Sequence, residues 1–137
     1  MSEQEPEQPS AQDEERIREL AGRLFEAART GDAETLGGYV DAGLPVNLAN
    51  DRGDTLLMLA AYHGHADAVR ALLARGADPD RANDRGQTPL AGAVFKSERD
   101  VVAALVAAGA DPDAGTPSAR EAARMFGKED MLSPTGG

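Results

Sequence analysis

The chain has 137 residues, a formal net charge of −10 and no cysteine, which leaves room for one domain and excludes a disulfide framework and any cysteine–zinc site. No apolar run approaches the ~20 residues of a membrane span, and the acidic opening MSEQEPEQPSAQDEE lacks the basic-then-apolar character of a signal peptide, so the sequence predicts a soluble, cytoplasmic protein. The negative balance argues against nucleic acid and against anionic membranes as partners.

Residues 1–11 read as a disordered acidic tail, with too few apolar side chains to build a core. Six acids against one base in residues 1–16 account for half of the charge excess. Ser10 followed by Asp13 has the spacing of a capping box. Ile17, Leu20, Ala21, Leu24, Phe25 and Ala28 then fall on one face of a helix, which is expected to run to about Arg29. This helix opens a capping repeat over residues 12–49. Ala27, Gly31 and Gly43 stand 33 positions before Ala60, Gly64 and Gly76.

Two further units follow, a repeat over 50–82 and a repeat over 83–115. NDRGDTLLMLAAYHGHADAVRALLARGADPD is rewritten 33 residues later as NDRGQTPLAGAVFKSERDVVAALVAAGADPD. A fixed period of this size means a stacked array in which no unit buries its own apolar face alone. Each unit reads as two short antiparallel helices and a hairpin, the hairpins at 47–54 and 80–87. Thr55 and Thr88 are expected N-caps, with Pro89 at the first helical position. Gly76 and Gly109 are expected just past the second helices, in the left-handed conformation. Leu59, Ala60, Leu72, Leu73, Leu90, Ala93, Leu105 and Val106 are the expected core. After Asp113 the period breaks. Thr116-Pro117 arrives about five residues early, which predicts a shortened hairpin. A helix over 118–126 and a short second helix over 128–132 form a truncated C-terminal cap (116–132), and 133–137 a tail.

The unit resembles the ankyrin repeat. Thr88-Pro89-Leu90 matches the family's helix opening, Gly64-His65 its helix junction, and Leu72-Leu73 with Gly76-Ala77-Asp78 its close. The first repeat departs from the pattern, since it lacks Thr-Pro and carries Leu44-Pro45-Val46-Asn47 for Ala-Asp-Pro-Asp. The resemblance implies an all-α ankyrin-repeat solenoid of helix-turn-helix units with projecting β-hairpin turns. It also implies that residues 12–132 form a single ankyrin repeat domain acting as a protein–protein interaction module.

In such arrays the hairpin tips and inner helices line a concave groove. The matching positions are Arg29 in the first unit, Asp51, Arg52, Asp54, Tyr62 and His63 in the second, and Asp84, Arg85, Gln87, Phe95 and Lys96 in the third. Tyr62 and Phe95 stand one period apart. They either form a partner-binding hot spot with the surrounding cations, or Phe95 folds into the groove between repeats and Tyr62 is merely exposed. Phe25 and Phe126 are expected in the cap and core. The paired aspartates Asp78/Asp80 and Asp111/Asp113 are expected to bond backbone N–H groups in turns.

No catalytic residue is assigned. There is no cysteine, no serine with a paired histidine and aspartate, and no phosphate-binding glycine loop, so the chain reads as non-catalytic and without cofactor or metal. His63 and His65 give the alternative, a metal-dependent regulator or enzyme. Two histidines make a poor ligand set, and the resemblance gives His65 a structural role, its ring bonding backbone near the helix junction. A third reading has the acids of 3–15 mimicking an anionic ligand. Arginine outnumbers lysine 12 to 2, a bias that points to a GC-rich bacterial genome. The stretch NDRGQTPLAGAVFK is similar to small bacterial ankyrin proteins, some of which accompany catalases. That similarity suggests support of a stress-response enzyme such as catalase. The partner itself stays unidentified, and the caps and net charge predict a monomer.

Overall fold

The computed structural model describes residues 10–132; the expected tails over 1–9 and 133–137 lie outside them. Within this span the chain is an all-α solenoid with no β-strand. The helices are α1 (Ala11–Thr30), α2 (Ala33–Asp41), α3 (Leu56–Tyr62), α4 (Ala66–Leu73), α5 (Pro89–Phe95), α6 (Arg99–Ala107) and α7 (Ala119–Phe126), and a 3₁₀ turn (Glu129–Leu132) closes the array. α1, α3, α5 and α7 stack in order as an inner layer. α2, α4, α6 and the 3₁₀ turn form the outer layer.

Capping sets where each inner helix starts. The hydroxyls of Thr55 and Thr88 accept from the amides of Met58 and Ala91. Ser10 with Asp13 and Ser118 with Glu121 form full capping boxes, so α1 begins at Ala11, inside the stretch assigned to the tail. α1 overhangs the array, and its residues 11–19 are all exposed. Gly76 and Gly109 are left-handed, at φ +89° and +88°.

The core runs between the layers. Leu24, Leu36, Leu56, Leu57, Leu72, Leu90 and Leu105 are fully buried with Val69, Val94, Val101 and Val102. Of the eight expected core residues, Leu73 and Val106 are only partly buried, at the edge of this cluster. A buried leucine contributes about 2 kcal/mol and a cap about 1 kcal/mol, so stacking of the units outweighs local capping.

The last unit corrects the sequence expectation. Its helix is capped by Ser118, not opened by Thr116-Pro117. Ser118 follows Thr88 by 30 positions, so three residues are missing rather than five. Both hairpins close on backbone bonds. In the first the Asn50 amide donates to the Asp54 carbonyl and the Leu56 amide to the Leu48 carbonyl, around the isolated bridge Ala49↔Thr55; in the second the Asn83 amide donates to the Gln87 carbonyl.

Successive turns are tied to one another by backbone. The Asp84 amide donates to the Arg52 carbonyl at 3.0 Å, and the Thr116 amide to the Gly86 carbonyl at 2.9 Å. The aspartates act as expected of turn residues. Asp78 and Asp111 accept from the amides of Asp80 and Asp113, while Asn47 and Asp80 accept from the amides of Asp78 and Asp111 one unit on. Asp113 instead takes Arg120 of α7, at 2.7 Å; that hydrogen bond holds its carboxyl below the usual carboxylate range. No described helix is long and apolar enough to cross a membrane.

Candidate partner-binding groove

Each turn is organised by an asparagine that sequence reasoning passed over. Asn50 Oδ1 accepts from the amides of Arg52 and Asp54, and Asn83 Oδ1 from those of Arg85 and Gln87. This geometry leaves Asp51, Arg52, Asp84 and Arg85 exposed at the tips. The signal was present, because Asn recurs at the head of both NDRG stretches. Asn83 Nδ2 also donates to Asp54 Oδ1 at 2.8 Å and to Gln87 Oε1 at 3.4 Å. Two of the candidate residues, Asp54 and Gln87, are therefore half-buried members of a turn-to-turn network.

The tips and the inner helices enclose an open groove of about 1040 Å³. Ten of the eleven candidates line it: Arg29, Asp51, Arg52, Asp54, Tyr62, His63, Asp84, Arg85, Gln87 and Phe95. Phe25, Asn50, Met58, Leu59 and Asn83 complete the wall. Lys96 stands at the edge, its Nζ 4.5 Å from the centre of the Tyr62 ring.

The aromatics are arranged differently from the expectation. Tyr62 is half-buried and Phe95 is 49% exposed. Phe95 pairs edge-on with Phe126, ring centres 5.5 Å apart. Phe126 is 48% exposed, so its assignment to the core is corrected. It lies on α7, and among the described residues no helix packs over it. Phe25 is half-buried and lines the groove.

His65 has the structural role expected of it. Its Nε2 meets the Arg29 carbonyl at 2.7 Å and closes the end of α1. A carbonyl partner requires that nitrogen to carry the proton. The His63 and His65 rings are 6.5 Å apart, and no group of three His, Cys, Asp or Glu among the described residues is placed to hold a metal. His63 sits below the ordinary histidine pKa, first because burial disfavours its charge, then because Lys96, His65 and Arg29 repel it.

A family model described as ankyrin repeats, in three copies, matches residues 24–116. The chain belongs to the ankyrin-repeat family. A Pseudomonas aeruginosa protein described as an ankyrin repeat protein is 50% identical over 46 residues, which is 34% of this chain and 27% of that one. The chain therefore aligns with about a quarter of this curated relative. Ankyrin repeats are protein-interaction modules, and the family is generally non-catalytic.

The ankyrin register sets the inner-helix ends in rows. With Ser118 taken as the equivalent of Thr88, the positions Arg29, Tyr62, Phe95 and Met125 correspond, as do Thr30, His63, Lys96 and Phe126. The contacts repeat with the register: Lys96 leans back over Tyr62, and Phe126 leans back onto Phe95. His65, Glu98 and Lys128 form a third row, each directly before the outer element of its unit. Lys128 Nζ donates to the carbonyls of Val94 and Phe95, the contact that His65 makes two layers earlier.

Proposed function

We propose that this ankyrin array is a non-catalytic module that binds a protein partner in the groove between its hairpin tips and inner helices. The reading rests on one observation. Tyr62, His63, Phe95, Lys96, Arg52 and Arg85 converge on one open surface, although none of them is buried in the core. Packing accounts for none of the six, while tyrosine and arginine recur at interface hot spots. Asp51 and Asp84 stand among them and give the rim both signs of charge. Arg29 extends the surface into the first unit, and Asp54 and Gln87 hold its floor. The backbone ties between turns keep the surface ordered before a partner arrives, which lowers the entropic cost of binding.

The partner is unidentified. An oxidative-stress enzyme such as a catalase is the first candidate, on the similarity of residues 83–96 to small bacterial ankyrin proteins. The module acts as a monomer, since its net charge opposes self-association; light scattering that finds a dimer at micromolar concentration contradicts this. Affinity capture from the native cell with wild type and with Tyr62→Ala/Phe95→Ala, followed by mass spectrometry, tests the main reading. A protein retained by wild type and absent with the double variant supports the groove. Equal recovery by both refutes it.

A further inference from the structure

The two rows of inner-helix ends change character along the array. Arg29, Thr30 and His63 at the first two units are cationic or polar. Tyr62 and Lys96 are mixed. Phe95, Phe126 and Met125 at the far end are apolar, and they are three of the four large apolar side chains that the described residues expose. Lys96 has no carboxylate partner among the described residues. Arg29 and Lys96 both stand near His63, and after burial their charges are among the causes that hold its pKa down, in a chain whose net charge is −10.

We propose that this ridge docks one extended segment of a partner protein in a fixed direction, its acidic end over Arg29, His63 and Lys96, its apolar end on Phe95, Phe126 and Met125. The proposal rests on the reading of the groove as a partner site and adds the segment's chemistry and polarity. Acidic side chains match the cations of the first units. The exposed aromatic pair and Met125 give an apolar side chain area to bury, and methionine adapts to the shape of what it meets. Inner helices lie about 9 Å apart, so four of them span about 27 Å. At about 3.3 Å per residue an extended segment of about nine residues covers the ridge. Phe126 and Met125 carry the apolar end because both are exposed on α7.

The probe is a synthetic peptide with an acidic half of glutamates and aspartates and an apolar half of leucines and phenylalanines, with a nitroxide at one end or the other. The protein carries labelled backbone amides, methionine methyls and histidine rings. A nitroxide at the apolar end should broaden the Met125 methyl, and one at the acidic end the His63 ring. Phe126→Ser and Met125→Ser should each weaken binding about 10-fold, Met125→Ser with an unchanged melting temperature and Phe126→Ser with only the small loss that its edge contact to Phe95 accounts for. A lysine-for-acid version of the peptide should not bind. No saturable binding, a reversed broadening pattern, or wild-type affinity in both serine variants overturns the proposal. Broadening confined to the Arg52 and Arg85 amides leaves the groove reading standing and removes the ridge. The groove reading itself fails only in the capture experiment with Tyr62 and Phe95 replaced.

Discussion

Glu98 occupies a position where its two register equivalents donate a hydrogen bond and it cannot. His65 bonds the Arg29 carbonyl at the end of α1, and Lys128 bonds the Phe95 carbonyl at the end of α5. The corresponding acceptor between them is the Tyr62 carbonyl, at the end of α3. Glu98 lies over Gly64, and its carboxylate makes no hydrogen bond among the described residues. Its charge faces the negative end of α3 but also stands at the N-cap of α6, so the two helix-end effects offset. Glu98→His should restore the missing bond. The ring fits, because His65 lies against Gly31 as Glu98 lies against Gly64. The bond contributes about 1 kcal/mol, which predicts a melting temperature higher by about 4 °C. Glu98→Ala removes the charge without adding the bond, so it should leave stability close to wild type. Thermal and urea unfolding of the three proteins measure this. A histidine variant no more stable than the alanine variant refutes the reasoning.

Other perturbations follow from the same geometry. Gly76→Val and Gly109→Val should each destabilise by about 1–2 kcal/mol; a Cβ at either site meets nothing within 4 Å, so the cost is backbone conformation alone, and an unchanged urea midpoint contradicts it. Ser97 takes φ +59° where Gly31, Gly64 and Gly127 stand in the other units, so Ser97→Gly should raise the urea midpoint by an amount worth about 1 kcal/mol, and a lower midpoint counts against the assigned strain. His63 should titrate below its ordinary value near 6.5, and Lys96→Ala should raise it, both read from imidazole resonances. Because its folded pKa is the lower one, His63 favours the fold above its unfolded pKa of ~6.5, and that contribution is lost as pH falls from there through the folded value. A pKa unmoved by Lys96→Ala removes Lys96 as a cause.

The repeat made most of the fold legible. Most helix starts were readable because threonine, or serine with an aspartate at a fixed offset, supplies the partners that a first turn lacks. The groove was readable because residues that pack must be apolar, and the ones left over at each 33-residue step share a surface. The final unit was harder. Thr116-Pro117 imitates a helix opening, while the true cap is the Ser118/Glu121 box, and only that register sets Phe126 beside Phe95. An aromatic at the end of a helix reads as core unless it is known that nothing stacks beyond it. Asp54 and Gln87 read as free surface positions. Their engagement by Asn83 depends on the distance between consecutive turns, which no single unit encodes.

Hydrogen exchange of the protein alone and with its captured partner tests the central claim most directly. The account predicts added protection in residues 50–64 and 83–97, with α4 and α6 unchanged. Protection confined to α2, α4 and α6 would place the partner on the outer layer and contradict it.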